Sequence, residues 1–136
     1  MIHRRGSYII EVLISAVVLA IFALALGSLL AISHRAVTSS RLEQQASAYA
    51  KEGVELAVAQ KDHGWDLLPI GVRPTESLSG GFTRQIQVDE GHRSGGKLDQ
   101  SGADPDINIR YIQVRVSWNE ALGPQSLTYA QYVAKW

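Results

Sequence analysis

Three observations predict an α+β protein in which one long N-terminal helix packs on a small antiparallel sheet of about three strands. Residues 12–32, VLISAVVLAIFALALGSLLAI, form an apolar run of 21 residues. Beyond it Leu42, Ala46, Tyr49, Gly53 and Leu56 recur at steps of 4, 3, 4 and 3, a stripe along one helix face. The C-terminal half then holds three β-rich segments, and a helix followed by strands is the order of an α+β fold.

The apolar run comes first. At about 1.5 Å per residue it matches a hydrocarbon core of about 30 Å, and a helix is the only single segment that crosses lipid with its backbone satisfied. It contains no proline, so nothing obliges a kink. His3, Arg4 and Arg5 precede it and favour a cytoplasmic N-terminus, although Arg35 and Arg41 follow it. A cleaved secretory signal would have a shorter apolar core before a small-residue site. "ALALGS" at 23–28 loosely fits such a site, but the core before it is too long and begins with an acid.

That acid is Glu11, the only charged side chain between Arg5 and Arg35. An ionised group at a membrane centre costs roughly 2.5–3.5 kcal/mol, less near the interface, and normally persists only with a partner. Either Glu11 reaches the cytoplasmic interface and pairs with Arg5, or a cation from another chain answers it. The stripe continues the helix from about Tyr8 to about Asp62, with Gly64 placed to stop it by taking positive φ. Its first half is apolar all round and its second half amphipathic.

The basic leader, Gly6 and "SYIIEVLISAVVLAIFALAL" resemble the N-terminal signature of type IV pilins and pseudopilins. In that family a prepilin peptidase cuts after the glycine on the cytoplasmic face, the new N-terminal amine is usually methylated, and the fifth mature residue is glutamate. Cutting between Gly6 and Ser7 makes Glu11 the fifth. Ser7 departs from the family's usual phenylalanine, which bears on methylation. The segment "ASAYAKEGVELAVAQKDHGW", 46–65, is similar to minor pilins of reduced-genome bacterial groups. The resemblance implies a leader at 1–6, a transmembrane and assembly helix at 7–33, an amphipathic stem at 34–64 and a globular head at 65–136. It implies no enzymatic activity and no cofactor. Glu11 would be met by the amine of Ser7 on an adjacent subunit. The implied partners are the peptidase, other pilin subunits in a homo- or hetero-filament, an assembly platform protein and, indirectly, an assembly ATPase. The chain would sit in the cytoplasmic membrane, single-pass with its head outside, and then pass into a pilus or pseudopilus.

In the head, residues 67–81 hold two prolines and three glycines and read as a connecting loop. Phe82, Arg84, Ile86 and Val88 alternate with Thr83, Gln85 and Gln87, a strand pattern. Residues 90–106 read as a long exposed loop. In 107–118, Ile112, Val114, Val116 and Trp118 share one parity and Ile107, Ile109 and Tyr111 the other, which predicts a bulge or twist near Ile112. Residues 119–125 make a turn. A last strand over 126–136 puts Leu127, Tyr129 and Val133 on one face and Ala130, Tyr132, Ala134 and Trp136 on the other.

Composition excludes several chemistries. Lys and Arg total 13 and Asp and Glu total 13, so no basic excess points to nucleic acid. There is no cysteine, hence no disulfide or thiolate metal site. Glu52 and Glu55 have no nucleophile or metal ligand beside them and read as a solvated helix face. The histidines lie in no metal-ligand spacing. Asp99, Asp104 and Asp106 in "DQSGADPD" are hard oxygen donors and weak calcium candidates, in a spacing that fits no EF-hand. Trp65, Trp118 and Trp136 read as packing residues of the head. The rival from another class is a single-span anchor whose extracytoplasmic head binds a ligand or partner.

Overall fold

The computed structural model describes residues 3–99 and 104–135, with side-chain surroundings from residue 8 onward. Its elements are α1 (His3–His63), β1 (Gly71–Val72), β2 (Glu76–Ser77), β3 (Thr83–Ser94), β4 (Lys97–Asp99), β5 (Asp104–Glu120) and β6 (Gly123–Ala134). The chain divides into two compact units, one ending at Ser40 and one beginning at Arg41.

In the first unit α1 is long and apolar enough to cross a membrane. The large apolar side chains from Tyr8 to Ile32 are 46–76% exposed, so the described residues supply little cover for them.

In the second unit α1 packs on an antiparallel sheet of order β1-β3-β5-β6, with β2 and β4 also on β3. The sheet has six strands where about three were expected. The three additional ones, β1, β2 and β4, have two or three residues each, too few to show an alternation. The buried helix stripe is Ala46, Ala50, Gly53, Val54, Ala57 and the stem of Lys61. It is turned from the expected one: Leu56 is exposed, and Tyr49 and Leu42 lie only partly buried at its margin. Small helix residues let the sheet approach, and the apolar bulk comes from Phe82, Val88, Ile112, Val114, Val116 and Trp118. α1 ends at His63, where the Gly64 N–H donates to the carbonyls of Gln60 and Lys61 at 3.1 Å each. Gly64 stops the helix in extended backbone, φ 165°, not with the positive φ expected of a left-handed cap.

The expected exposed loop at 90–106 is largely strand. β3 continues to Ser94 and turns through Gly95-Gly96 into β4, and β5 begins at Asp104. Both glycines have positive φ, 58° and 82°, which a two-residue hairpin turn of this hand requires. The irregularity expected near Ile112 lies a few residues earlier. Glu90 pairs with Arg110 but Gly91 with Asp106, so Ile107–Ile109 stand outside the β3–β5 ladder. That shift lets Ile109 and Ile112 both be buried although their parity differs. Gly91 is required there, because a Cβ would lie 2.3 Å from Ile109 Cγ2. The expected turn at 119–125 tightens to Ala121-Leu122 between the paired Glu120 and Gly123.

The helix approaches the sheet closely at Gly53, where a Cβ would lie 2.9 Å from Val114 Cγ1 and 3.0 Å from Arg84 Cδ. Gly53→Val should therefore destabilise the head by about 1–3 kcal/mol through overpacking. Thermal unfolding followed by tryptophan fluorescence checks this, and an unchanged midpoint would contradict the close approach.

Candidate functional site

Glu11 lies on α1 with its side chain exposed, in a stretch where Tyr8, Ile9, Ile10, Val12, Leu13 and Ile14 are exposed too. Helical spacing dictates this surround, because no residue within two turns on either face brings a base from the C-terminal side. Ser15 returns its hydroxyl to the Glu11 carbonyl at 2.8 Å, which satisfies the serine within its own helix. Among the described residues no ion pair includes Glu11. Gly6 and Ser7 fall within the α1 span, one helical turn before Glu11, and their side-chain surroundings lie outside the described residues. The arrangement is a single anionic position on an otherwise apolar helix surface.

Two arginines of the head are built into the fold. Arg84 is buried, 3% exposed, on the core side of β3. Its Nη2 and Nε donate to Glu76 Oε2 at 2.7 and 3.1 Å, its Nη1 donates to the Tyr49 carbonyl at 3.1 Å, and Glu52 stands 3.6 Å away. One guanidinium thus ties β2 and β3 to α1. Arg110 lies over the Trp65 ring, 4.3 Å from its centroid, and donates to the carbonyls of Trp65 and Leu68. Desolvation there lowers its pKa, against the pull of Asp66. It donates to the Leu68 carbonyl and joins the Leu68 N–H on the Trp65 carbonyl, which ties the segment after α1 to β5. Neither arginine's role was read from the sequence, although Arg84 shares its parity with Phe82, Ile86 and Val88.

The other candidate positions fall apart in space or into packing. Glu52 and Glu55 are exposed on α1. Trp118 is buried and donates its indole N–H to Glu120 at 2.9 Å, and Trp65 is partly buried under Arg110. Trp136 lies outside the described residues. Of the calcium candidates, Asp99 ends β4, Asp104 begins β5, and the intervening 100–103 lie outside the described residues. Asp106 spends both oxygens inside the fold. Its Oδ2 accepts from Arg93 Nε at 2.9 Å and its Oδ1 accepts from the Asn108 backbone N–H at 3.0 Å. Among the described residues no three His, Cys, Asp or Glu side chains are grouped to hold a metal ion.

Comparison of the chain with models of protein families, with characterised proteins and with solved structures finds no match.

The hydrogen bond from Arg93, together with that from Asn108, holds the Asp106 pKa below the ordinary carboxylate value. A group depressed on folding contributes stability above its unfolded pKa, about 3.9, and loses that contribution as pH falls through its folded value. The expected NMR titration midpoint of Asp106 lies below 3.9, and Arg93→Gln should move it up. A midpoint unmoved by Arg93→Gln would contradict the pairing.

Proposed function

We propose that this chain is a type IV pilin-like structural subunit, a minor pilin or pseudopilin, processed by prepilin peptidase and assembled into a pilus or pseudopilus filament. The observation that carries the reading is the register of Gly6, Ser7 and Glu11 at the head of an uncovered apolar helix. A cut after Gly6 creates one amine at Ser7 and leaves one carboxylate at Glu11 in each chain. In a stack of like helices, the amine of each subunit answers the carboxylate of the next. The pair neutralises two groups that lipid penalises and sets the axial stagger between neighbours.

The uncovered surface supports the same reading. Before assembly, lipid covers residues 8–32 with the N-terminus cytoplasmic and the head outside. In a filament, neighbouring helices replace that lipid, and association rests on packing and polar contacts because lipid tails are as apolar as the helix. Platform protein and assembly ATPase would supply the extraction. The chain does no chemistry of its own in this scheme and needs no cofactor.

Two measurements test it together. The mass of the membrane-extracted protein should correspond to a chain beginning at Ser7. Glu11→Ala should reduce incorporation into sheared filaments by at least about tenfold, the effect of losing about 1.4 kcal/mol. A chain that keeps Met1 and tolerates Glu11→Ala would instead be a single-span anchor for the head.

A further inference from the structure

We propose that the free edge of β6 is a strand-addition site, which takes an extended, mainly uncharged segment of a different polypeptide, antiparallel to β6. Among the described residues β6 pairs only with β5, and it is the last strand of the sheet. Its register against β5 runs unbroken from Glu120↔Gly123 to Ile109↔Ala134. The outer edge therefore presents a straight row of backbone donors and acceptors over 12 residues. Only water or another strand satisfies such a row.

The two edges of this sheet differ. The edge of β3 is occupied by β1 at residues 87–88, by β2 at 83–84 and by β4 at 92–94. Short covering strands of this kind are one way a protein blocks edge-to-edge pairing. β6 carries none of the usual blocks along its length. It has no charged side chain from Gly123 to Ala134, no bulge, and one proline, Pro124, beside the turn. The core also stays open towards this edge. Tyr129 pairs with the buried Val114 on the core side of the sheet yet remains 40% exposed. An added strand with apolar side chains at alternate positions would lie against Tyr129 and close the core.

Charge at one end of β6 selects among antiparallel partners. Lys135, directly after β6, is exposed. An antiparallel neighbour begins beside Lys135, so an acid as its first residue is complementary, and opposite charges across strands are favourable. A second copy of this chain is the wrong occupant. β6 itself carries no acid, so antiparallel pairing of two β6 strands would set each Lys135 against the uncharged end of the other strand.

The test uses the purified full chain in detergent micelles and needs neither processing nor a filament, so its failure leaves the subunit reading standing. The probe is a nine-residue blocked peptide of alternating Val and Thr with Glu first, N-methylated along one edge so that it cannot stack on itself. Deuterium uptake over residues 124–134 should slow on adding it, and should not slow with the same peptide N-methylated along both edges. A Lys-first peptide should bind about threefold or more weakly, and Lys135→Glu should reverse that preference. No protection at millimolar probe, equal protection by the doubly methylated peptide, or protection that grows with protein concentration alone would each overturn the proposal.

Discussion

A single helix has to satisfy two surroundings, and that constraint organises the rest of the chain. From Tyr8 to Ile32 every large apolar side chain of α1 is left exposed by the described residues. From Ala46 to Ala57 the same helix turns small residues towards a sheet and buries them. The first stretch is long and apolar enough to cross a membrane, and the second is covered by a sheet. The change of partner explains why the sheet-facing stripe is Ala, Gly and Val. The sheet must approach within contact of the helix backbone at Gly53, and the bulk that fills the core stands on β3 and β5.

The same close approach accounts for the buried arginine. With Gly53 against the sheet, Arg84 Cδ lies under the helix, and its guanidinium is out of water. A buried cation is costly unless paired and hydrogen-bonded. Glu76 supplies the charge from β2 and the Tyr49 carbonyl a further acceptor from α1. The two-residue strand β2 thus has a reason to exist that its length alone would not give it. It delivers a carboxylate to Arg84. Arg110 acts similarly beyond the end of α1, where it donates to the carbonyls of Trp65 and Leu68.

Much of this was legible in the residues. The helix from about 8 to about 62, the strands around Phe82–Val88, Ile112–Trp118 and 126–134, and a bulge in the fifth strand all follow from period and parity. What escaped did so for physical reasons. Strands of two or three residues carry no alternation, and Gly and Pro between 67 and 81 read equally as loop. Residues 90–99 looked like loop because hairpin extensions in water are as polar as loops. The helix stripe came out rotated because Leu56 is apolar but faces outward, while Ala50, Ala57 and the Lys61 stem face inward. Arg84 gave a signal, a charge on an apolar parity, that calls for an acid on a facing element. The singularity of Glu11 was legible in another way. Glu11 stands out as the only charged side chain between Arg5 and Arg35, and the structure leaves it on an exposed helix surface.

In the function proposed here, the carboxylate of one protomer meets the terminal amine of another. The most direct measurement is solid-state NMR on filaments mixed from two batches of chain, one with ¹³C at the Glu11 carboxyl and one with ¹⁵N at the Ser7 amine. Dipolar dephasing between the two labels, at a separation of about 4 Å or less, is the result expected for a charge-assisted contact between protomers. Absence of dephasing in the mixed filaments, with Glu11 deprotonated and the filament intact, would contradict it.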